Sequence, residues 1–210
     1  MKFKNSLLAP VLSVVILALA NIANAFPAGG PPDSFQVGYA SNLNVGDSFI
    51  NITNAGTLNG VDPAGNICAN VYVFSADEEL DACCSCLVSP NALKSLSAKN
   101  DLISNTLTPA IPTSIVVKVV ASVPANTGLN GCNNSARSVN TKNLAPGMRV
   151  WGTGLHALPT TPVTYGGTEN QFSSAVLSTS ELANLTGKCG FIQDDGSGFG
   201  ICKSCRTGGL

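Results

Sequence analysis

Apolar and polar residues alternate with a period of two in several short stretches, the pattern of half-buried β-strands. Phe35, Val37 and Tyr39 alternate with Gln36 and Gly38, and Asp47–Thr53 (DSFINIT) puts Ile50 and Ile52 on one face. Cys68–Ser75 (CANVYVFS) is apolar on both faces, as a central sandwich strand would be. Ser114–Val123 (SIVVKVVASV) is the strongest strand signal, dense in β-branched residues. Met148–Ala157 (MRVWGTGLHA) and Gln171–Leu177 (QFSSAVL) are further strand predictions. Clusters of Gly, Asn, Asp and Pro (NGVDPAGN, VPANTGLNG, LAPG, LPTTP) separate these runs and supply turn chemistry. Short strands divided by turns predict a mainly β chain: an antiparallel β-sandwich, immunoglobulin-like or jelly-roll-like.

The pattern changes period near the C-terminus. Ser178-Thr179-Ser180-Glu181 reads as a capping box, with Ser178 as N-cap and Glu181 three residues on. Leu177 and Leu182 form the matching hydrophobic staple, and Leu182, Leu185 and Cys189 recur at helical spacing. Lys188 then falls in the predicted last turn and Gly190 at the position after it. A shorter helical turn is predicted from Ser89-Pro90, with Leu93 and Leu96 inward. No fixed-period repeat or heptad pattern is present.

Residues 1–25 have the three parts of a signal peptide: Lys2 and Lys4, an apolar run from Leu7 to Ala20, and the small-x-small site Ala23-Asn24-Ala25. Cleavage there predicts a mature chain from Phe26. The run is too short to span a bilayer comfortably, and no cysteine follows the site to carry a lipid. Residues 26–34, rich in Pro and Gly, read as an extended N-terminal arm, and residues 35–210 as a single β-rich domain. The mature part, about 185 residues, is long enough for one real core.

Charge narrows the partners. Without Lys2 and Lys4, nine of the eleven basic residues remain against twelve acidic ones, a net charge of −3. No basic patch is available for phosphate contacts, so nucleic acid is not an expected partner, and no membrane is expected after signal cleavage.

Eight cysteines follow the leader: Cys68, Cys83, Cys84, Cys86, Cys132, Cys189, Cys202 and Cys205. In an oxidising compartment an even set closes into disulfides. The pairing is open, because eight cysteines allow 105 connectivities. Adjacent Cys83 and Cys84 should point to different partners, and Cys189 should tether the helix to a strand or to the C-terminal tail. Two other chemistries compete. Cys84, Cys86, Cys202 and Cys205 would supply a tetrathiolate, but C-x-C is not the usual zinc knuckle. Cys202-x-x-Cys205 has dithiol oxidoreductase spacing, but it lies five residues from the end of the given sequence, without a following helix to lower the thiol's pKa. Haem attachment fails because Arg206, not His, follows Cys205.

Catalytic signals are weak. His156 is the only histidine, and no G-x-S-x-G elbow accompanies it, so a structural role is expected. Carboxylates cluster at Asp77-Glu78-Glu79 with Asp81, and at Asp194-Asp195 in the loop DDGSG. A glycosidase would need facing acids in an aromatic cleft, and one Trp with three Tyr is a poor supply. DDGSG misses the spacing of a calcium loop, so both clusters are expected to be solvated turns. Sequons occur at Asn51, Asn133 and Asn184; beside a bacterial-looking leader they read as incidental. No catalytic, cofactor or metal residue is therefore assigned.

The blocks Leu177–Leu182, Cys189-Gly190-Phe191-Ile192-Gln193 and Gly196–Cys205 (GSGFGICKSC) stand beside Cys83-Cys84-Ser85-Cys86-Leu87 and Trp151-Gly152-Thr153. Together they resemble a group of uncharacterised secreted, cysteine-rich bacterial proteins. The resemblance implies secretion and transfers no mechanism. The expectation is a secreted or cell-surface bacterial β-sandwich with one C-terminal helix, the periplasm being the alternative location. Its expected role is non-enzymatic and structural: a subunit that assembles with itself into a fibre or layer, through the arm or an intermolecular disulfide. A glycan- or protein-binding module is the alternative, and a secreted hydrolase or thiol oxidoreductase the second.

Overall fold

The computed structural model describes residues 30–31, 33–56, 64–125, 131–132 and 139–206. Among these residues ten strands and one α-helix run in chain order: β1 (Phe35–Ala40), β2 (Gly46–Asn54), β3 (Ile67–Phe74), β4 (Leu80–Val88), β5 (Leu93–Ser97), β6 (Ile115–Ser122), β7 (Met148–Ala157), β8 (Tyr165–Gln171), β9 (Ser173–Ser174), α1 (Thr179–Asp195) and β10 (Ile201–Arg206). A π-helical turn, Ala98–Leu102, follows β5. The signal peptide and most of the arm lie outside the described residues. Where the arm meets β1 it is tied down: Ser34 Oγ donates to Pro31 O at 2.7 Å, and Asp33 pairs with Arg149 at 2.7 Å.

The strands form a six-stranded sheet, β10-β4-β3-β6-β1-β9, and a four-stranded sheet, β5-β2-β7-β8. All pairs are antiparallel except β10 with β4. The alternation seen in the sequence decides which face meets which. Ile50 and Ile52 of β2 and Met148 and Val150 of β7 pack against Val71, Val73, Val117 and Val119 of β3 and β6. Burying one such aliphatic side chain contributes about 1.5–3 kcal/mol, so this inter-sheet layer is the main cohesive element.

The six-stranded sheet is apolar on its other face too. Tyr72, Phe74 and Val120 pack with Leu182, Leu185, Cys189 and Ile192 of α1. The molecule is therefore a helix, sheet and sheet in three layers, and β3 is buried on both sides as its unbroken apolar run predicts. Lys118 fastens the helix from β6, donating to Glu181 Oε1 at 2.6 Å while lying 4.9 Å from the Phe74 ring. Beyond the helix, Asn70 fills the same face with polar contacts: it donates to Val120 O and Ser122 Oγ and accepts from Ser85 Oγ.

Polar and glycine positions join the two sheets where β1 approaches β7. Gln36 reaches from β1 to β7 as a surrogate backbone, donating to Met148 O at 2.8 Å and accepting from Val150 N at 3.1 Å. The Phe172 ring occupies the space where a side chain on Gly38 would stand, so that site admits only glycine.

Several boundaries depart from the sequence expectation. Gln171–Leu177 is not one strand: β8 ends at Gln171, Phe172 turns into the core, and only Ser173–Ser174 pairs with β1. The predicted turn of helix from Ser89-Pro90 is instead a turn followed by β5; Leu96 is inward as expected but Leu93 is 59% exposed. A period of two, not 3.6, governs that segment because it pairs along β2. The helix starts at the predicted cap, where Glu181 N donates to Ser178 Oγ, but it runs through Gly190 to a left-handed Gly196 with φ 69°. Ile192 extends the buried stripe by one turn, and that packing outweighs the roughly 1 kcal/mol cost of a helical glycine. Lys188 thus lies mid-helix, 5.7 Å from the Phe74 ring.

Candidate functional site

All eight cysteines close within the chain, as Cys68–Cys132, Cys83–Cys189, Cys84–Cys202 and Cys86–Cys205, with Cα separations of 5.3, 5.9, 5.4 and 4.7 Å. Three of these bridges meet on β4. Side chains alternate across a strand, so Cys83 points to α1 while Cys84 and Cys86 share the opposite face and reach β10. The four residues considered for a tetrathiolate are thus neighbours, but as two disulfides. The dithiol spacing of Cys202 and Cys205 likewise serves two separate bridges. Four disulfides fit an oxidising compartment. Among the described residues no helix is long and apolar enough to cross a membrane.

His156 stands on β7 opposite Gly46 and Gly166, and it makes no hydrogen bond to a serine or carboxylate among the described residues. Asp194 and Asp195 are exposed at the end of α1. Of the sequons, Asn51 is buried with its amide spent across the sheet, donating to Thr153 Oγ1 and accepting from Ser95 Oγ. Asn184 is exposed on α1, and Asn133 lies outside the described residues.

The other acidic cluster behaves differently from its expected solvated turn. Asp77, Glu78 and Glu79 are exposed, but Asp81 is only 1% exposed. A β-bulge explains its placement: Val73 pairs with Ala82 and Phe74 with Leu80, so Asp81 is the extra residue of β4. The turn before it is set by Ser75 N donating to Glu79 O and by a positive φ of 63° at Glu78. The Asp81 Oδ2 and Ser75 Oγ atoms are both buried without a hydrogen-bond partner. Burial, reinforced by the charges of Glu79 and Asp77, pushes the Asp81 carboxyl up from 3.8 to about 6.

Asp81 and Ser75, with Asp77 and Glu79 of the turn between them, line a cavity of about 300 Å³ whose opposite wall is the irregular segment from Thr108 to Ser114. That cavity shares Ile111 with an apolar one of about 350 Å³, which Leu107, Pro109 and Phe199 also line. It shares Glu79 with a third, of about 240 Å³, beside Leu80, Phe191 and Ile192. The three neighbour one another through these shared walls and outline a groove, with Ile111 70%, Phe191 69% and Phe199 55% exposed along it. The irregular segment is held in place by backbone bonds: Leu107 N donates to Asp81 O, Gly200 N to Asn105 O, and Leu43 N to Thr113 O. Asn105 Nδ2 adds a bond to Gly198 O at 2.7 Å.

Sequence reasoning singled out Asp77, Glu79 and Asp81 but not the groove around them. The available signal was the run SNTLTPAIPT, a stretch with two prolines and no strand pattern, since binding residues lie disproportionately on loops held by a rigid scaffold. Among the described residues no three His, Cys, Asp or Glu side chains are gathered into a ready-made metal centre. Compared with known proteins, the chain matches no family model, no curated protein and no solved structure.

Proposed function

We propose that this chain is a secreted, non-enzymatic structural or surface protein of bacterial type that assembles with copies of itself through an open sheet edge. The observation that carries this reading is strand β8. It is the terminal strand of its sheet, seven residues long, with every residue exposed or half-exposed. Its sequence, YGGTENQ, holds no Lys, Arg or Pro. Soluble β-proteins protect such edges with those residues, because unpaired N–H and C=O groups template another strand. A strand of a second copy added at β8 would extend the four-stranded sheet by main-chain bonds. The disulfides support durability, and since all eight cysteines pair internally, contact between copies runs through strands rather than thiols.

Gly167→Lys tests the proposal. A Cβ there meets only Leu155 Cδ2, at 4.0 Å, and the strand is exposed, so the substitution fits the fold while charging the edge. The expected result is higher-order species of the wild-type protein by sedimentation velocity and negative-stain microscopy, and dispersed monomers of the variant. Dispersed wild-type monomers, with and without reductant, would contradict it.

A second reading, a glycan-binding module, is favoured by one feature. Trp151 lies opposite Asn51, and Phe49 opposite Thr153, so the two rings are diagonal neighbours on the outer face of the four-stranded sheet. Glu169 and Gln171 flank them with polar groups. Quenching of Trp151 fluorescence by soluble oligosaccharides, absent in Phe49→Ala, distinguishes this reading from assembly.

A further inference from the structure

We propose that the cavity lined by Asp81 and Ser75 is a calcium site. The polar side chains of its wall offer oxygen alone: the carboxylates of Asp77, Glu79 and Asp81 and the hydroxyls of Ser75, Thr108, Thr113 and Ser114. No Lys, Arg or His side chain lines it, and none of the three carboxylates has an ion pair among the described residues. A buried carboxylate is normally paired, hydrogen-bonded or bound to a metal. Asp81 has neither an ion pair nor a side-chain hydrogen bond among the described residues, although it is 1% exposed and its Oδ2 is buried. The bulge that turns Asp81 toward the cavity interrupts an otherwise regular β3–β4 ladder, so the exposure of this acid to the cavity is built into the strand pairing. Ser75 Oγ, also unpartnered and buried, supplies a second fixed oxygen.

Oxygen-only surroundings exclude the metals that select thiolate or imidazole. Between the hard cations, magnesium demands near-ideal octahedral geometry, whereas calcium accepts six to eight oxygens at about 2.3–2.6 Å in irregular arrangements. The carboxylates are not preassembled. Asp81 and Ser75 would hold the ion from the floor of the cavity, with Asp77 and Glu79 closing from the exposed turn. Oxygens of the Thr108–Ser114 segment and water complete the shell. One rigid carboxylate with mobile helpers is the construction of a weak extracellular site, with a dissociation constant of about 10⁻⁴–10⁻³ M. An ion there would join the β3–β4 turn to the segment that forms the groove, and so stiffen the groove's floor.

The test is calorimetric titration of chelator-treated protein with calcium chloride, and separately with magnesium chloride. Thermal unfolding is followed in parallel. The expected result is one saturable calcium site, at least tenfold weaker for magnesium, with a rise in unfolding temperature. Asp81→Asn should weaken it at least tenfold. If that variant does not fold, Asp77→Asn/Glu79→Gln decides, because both residues are exposed and cannot disturb the core. Absence of heat and of any thermal shift at about 10 mM calcium, a range well above such sites, would overturn the proposal. So would equal responses to the two ions, or calcium binding unchanged in the variants.

Discussion

The two sheets are held by different means. Every cysteine belongs to the six-stranded sheet, to α1 or to the segment at Cys132; the four-stranded sheet contains none. The first layer is locked: β4 is bridged to α1 and twice to β10, and β3 to Cys132. The second depends on the apolar contacts of Ile50, Ile52, Met148 and Val150 and on polar links such as Gln36 to β7. Covalent reinforcement is thus placed where the chain needs it. The clamped C-terminal strand pairs in parallel with β4 and shifts register, the least regular pairing of the six-stranded sheet. The open edge, which holds no Lys, Arg or Pro, lies at the opposite kind of place, in the sheet without bridges.

The largest expected effect comes from removing the clamps. A disulfide contributes about 2–4 kcal/mol, mainly by restricting the unfolded chain, and overlapping loops make the total less than the sum. Reduction with blocking of the thiols is expected to raise hydrogen exchange most in α1 and β10 and least in β2 and β7. Uniform acceleration would erase the contrast between the layers. In the unbridged layer the matching experiment is Ile52→Ala, expected to cost about 2–5 kcal/mol by denaturant unfolding, because Ile52 is fully buried between the sheets. A cost well below that range would mean the disulfides, and not the inter-sheet packing, carry the second sheet as well.

Asp81 sharpens the comparison from the other side, as a destabilising feature inside the clamped layer. Below pH 3.8 the carboxyl is neutral in both folded and unfolded chains. Between 3.8 and about 6 the unfolded chain ionises first, so this group's contribution falls as pH rises. The loss is on the order of 3 kcal/mol above pH 6. In calcium-free buffer Asp81→Asn is therefore expected to be more stable than wild type at pH 7, by about 2 kcal/mol. The difference should shrink to near zero by pH 3.5, read from paired denaturant curves. The smallest effect is at the helix start: Ser178→Ala removes the bond to Glu181 N and is expected to cost about 1 kcal/mol. With Cys189 bridged, that loss should appear as fraying of the first turn only.

Much of the architecture was legible. Phe35–Tyr39, Asp47–Thr53, Cys68–Ser75, Ser114–Val123 and Met148–Ala157 all fall on strands, since alternation or β-branched density marked them. The helix start was legible because capping is local chemistry. What escaped has a physical pattern. β4 reads LDACCSCLV, where cysteine and alanine do the work of aliphatic residues and leave little contrast. β8 is an edge strand with no buried face to detect, and β10 buries Cys202 and Cys205, three residues apart, which breaks a period of two. The β5 segment reads as a helical turn because Pro90, Leu93 and Leu96 fit one, and only pairing with β2 overrides that. The helix end was placed at Gly190 because the packing of Ile192 is a tertiary fact. At the candidate site the acids were visible, but burial of Asp81 follows from a one-residue bulge, which no local rule marks.

The measurement that bears most directly on this account is a non-reducing peptide mass map, with backbone fragmentation between Cys83 and Cys84 and between Cys84 and Cys86. The account predicts four intrachain pairs: Cys68–Cys132, Cys83–Cys189, Cys84–Cys202 and Cys86–Cys205. A bridge from Cys83 to the C-terminal strand, a free thiol among the eight, or any pair linking two chains would contradict it.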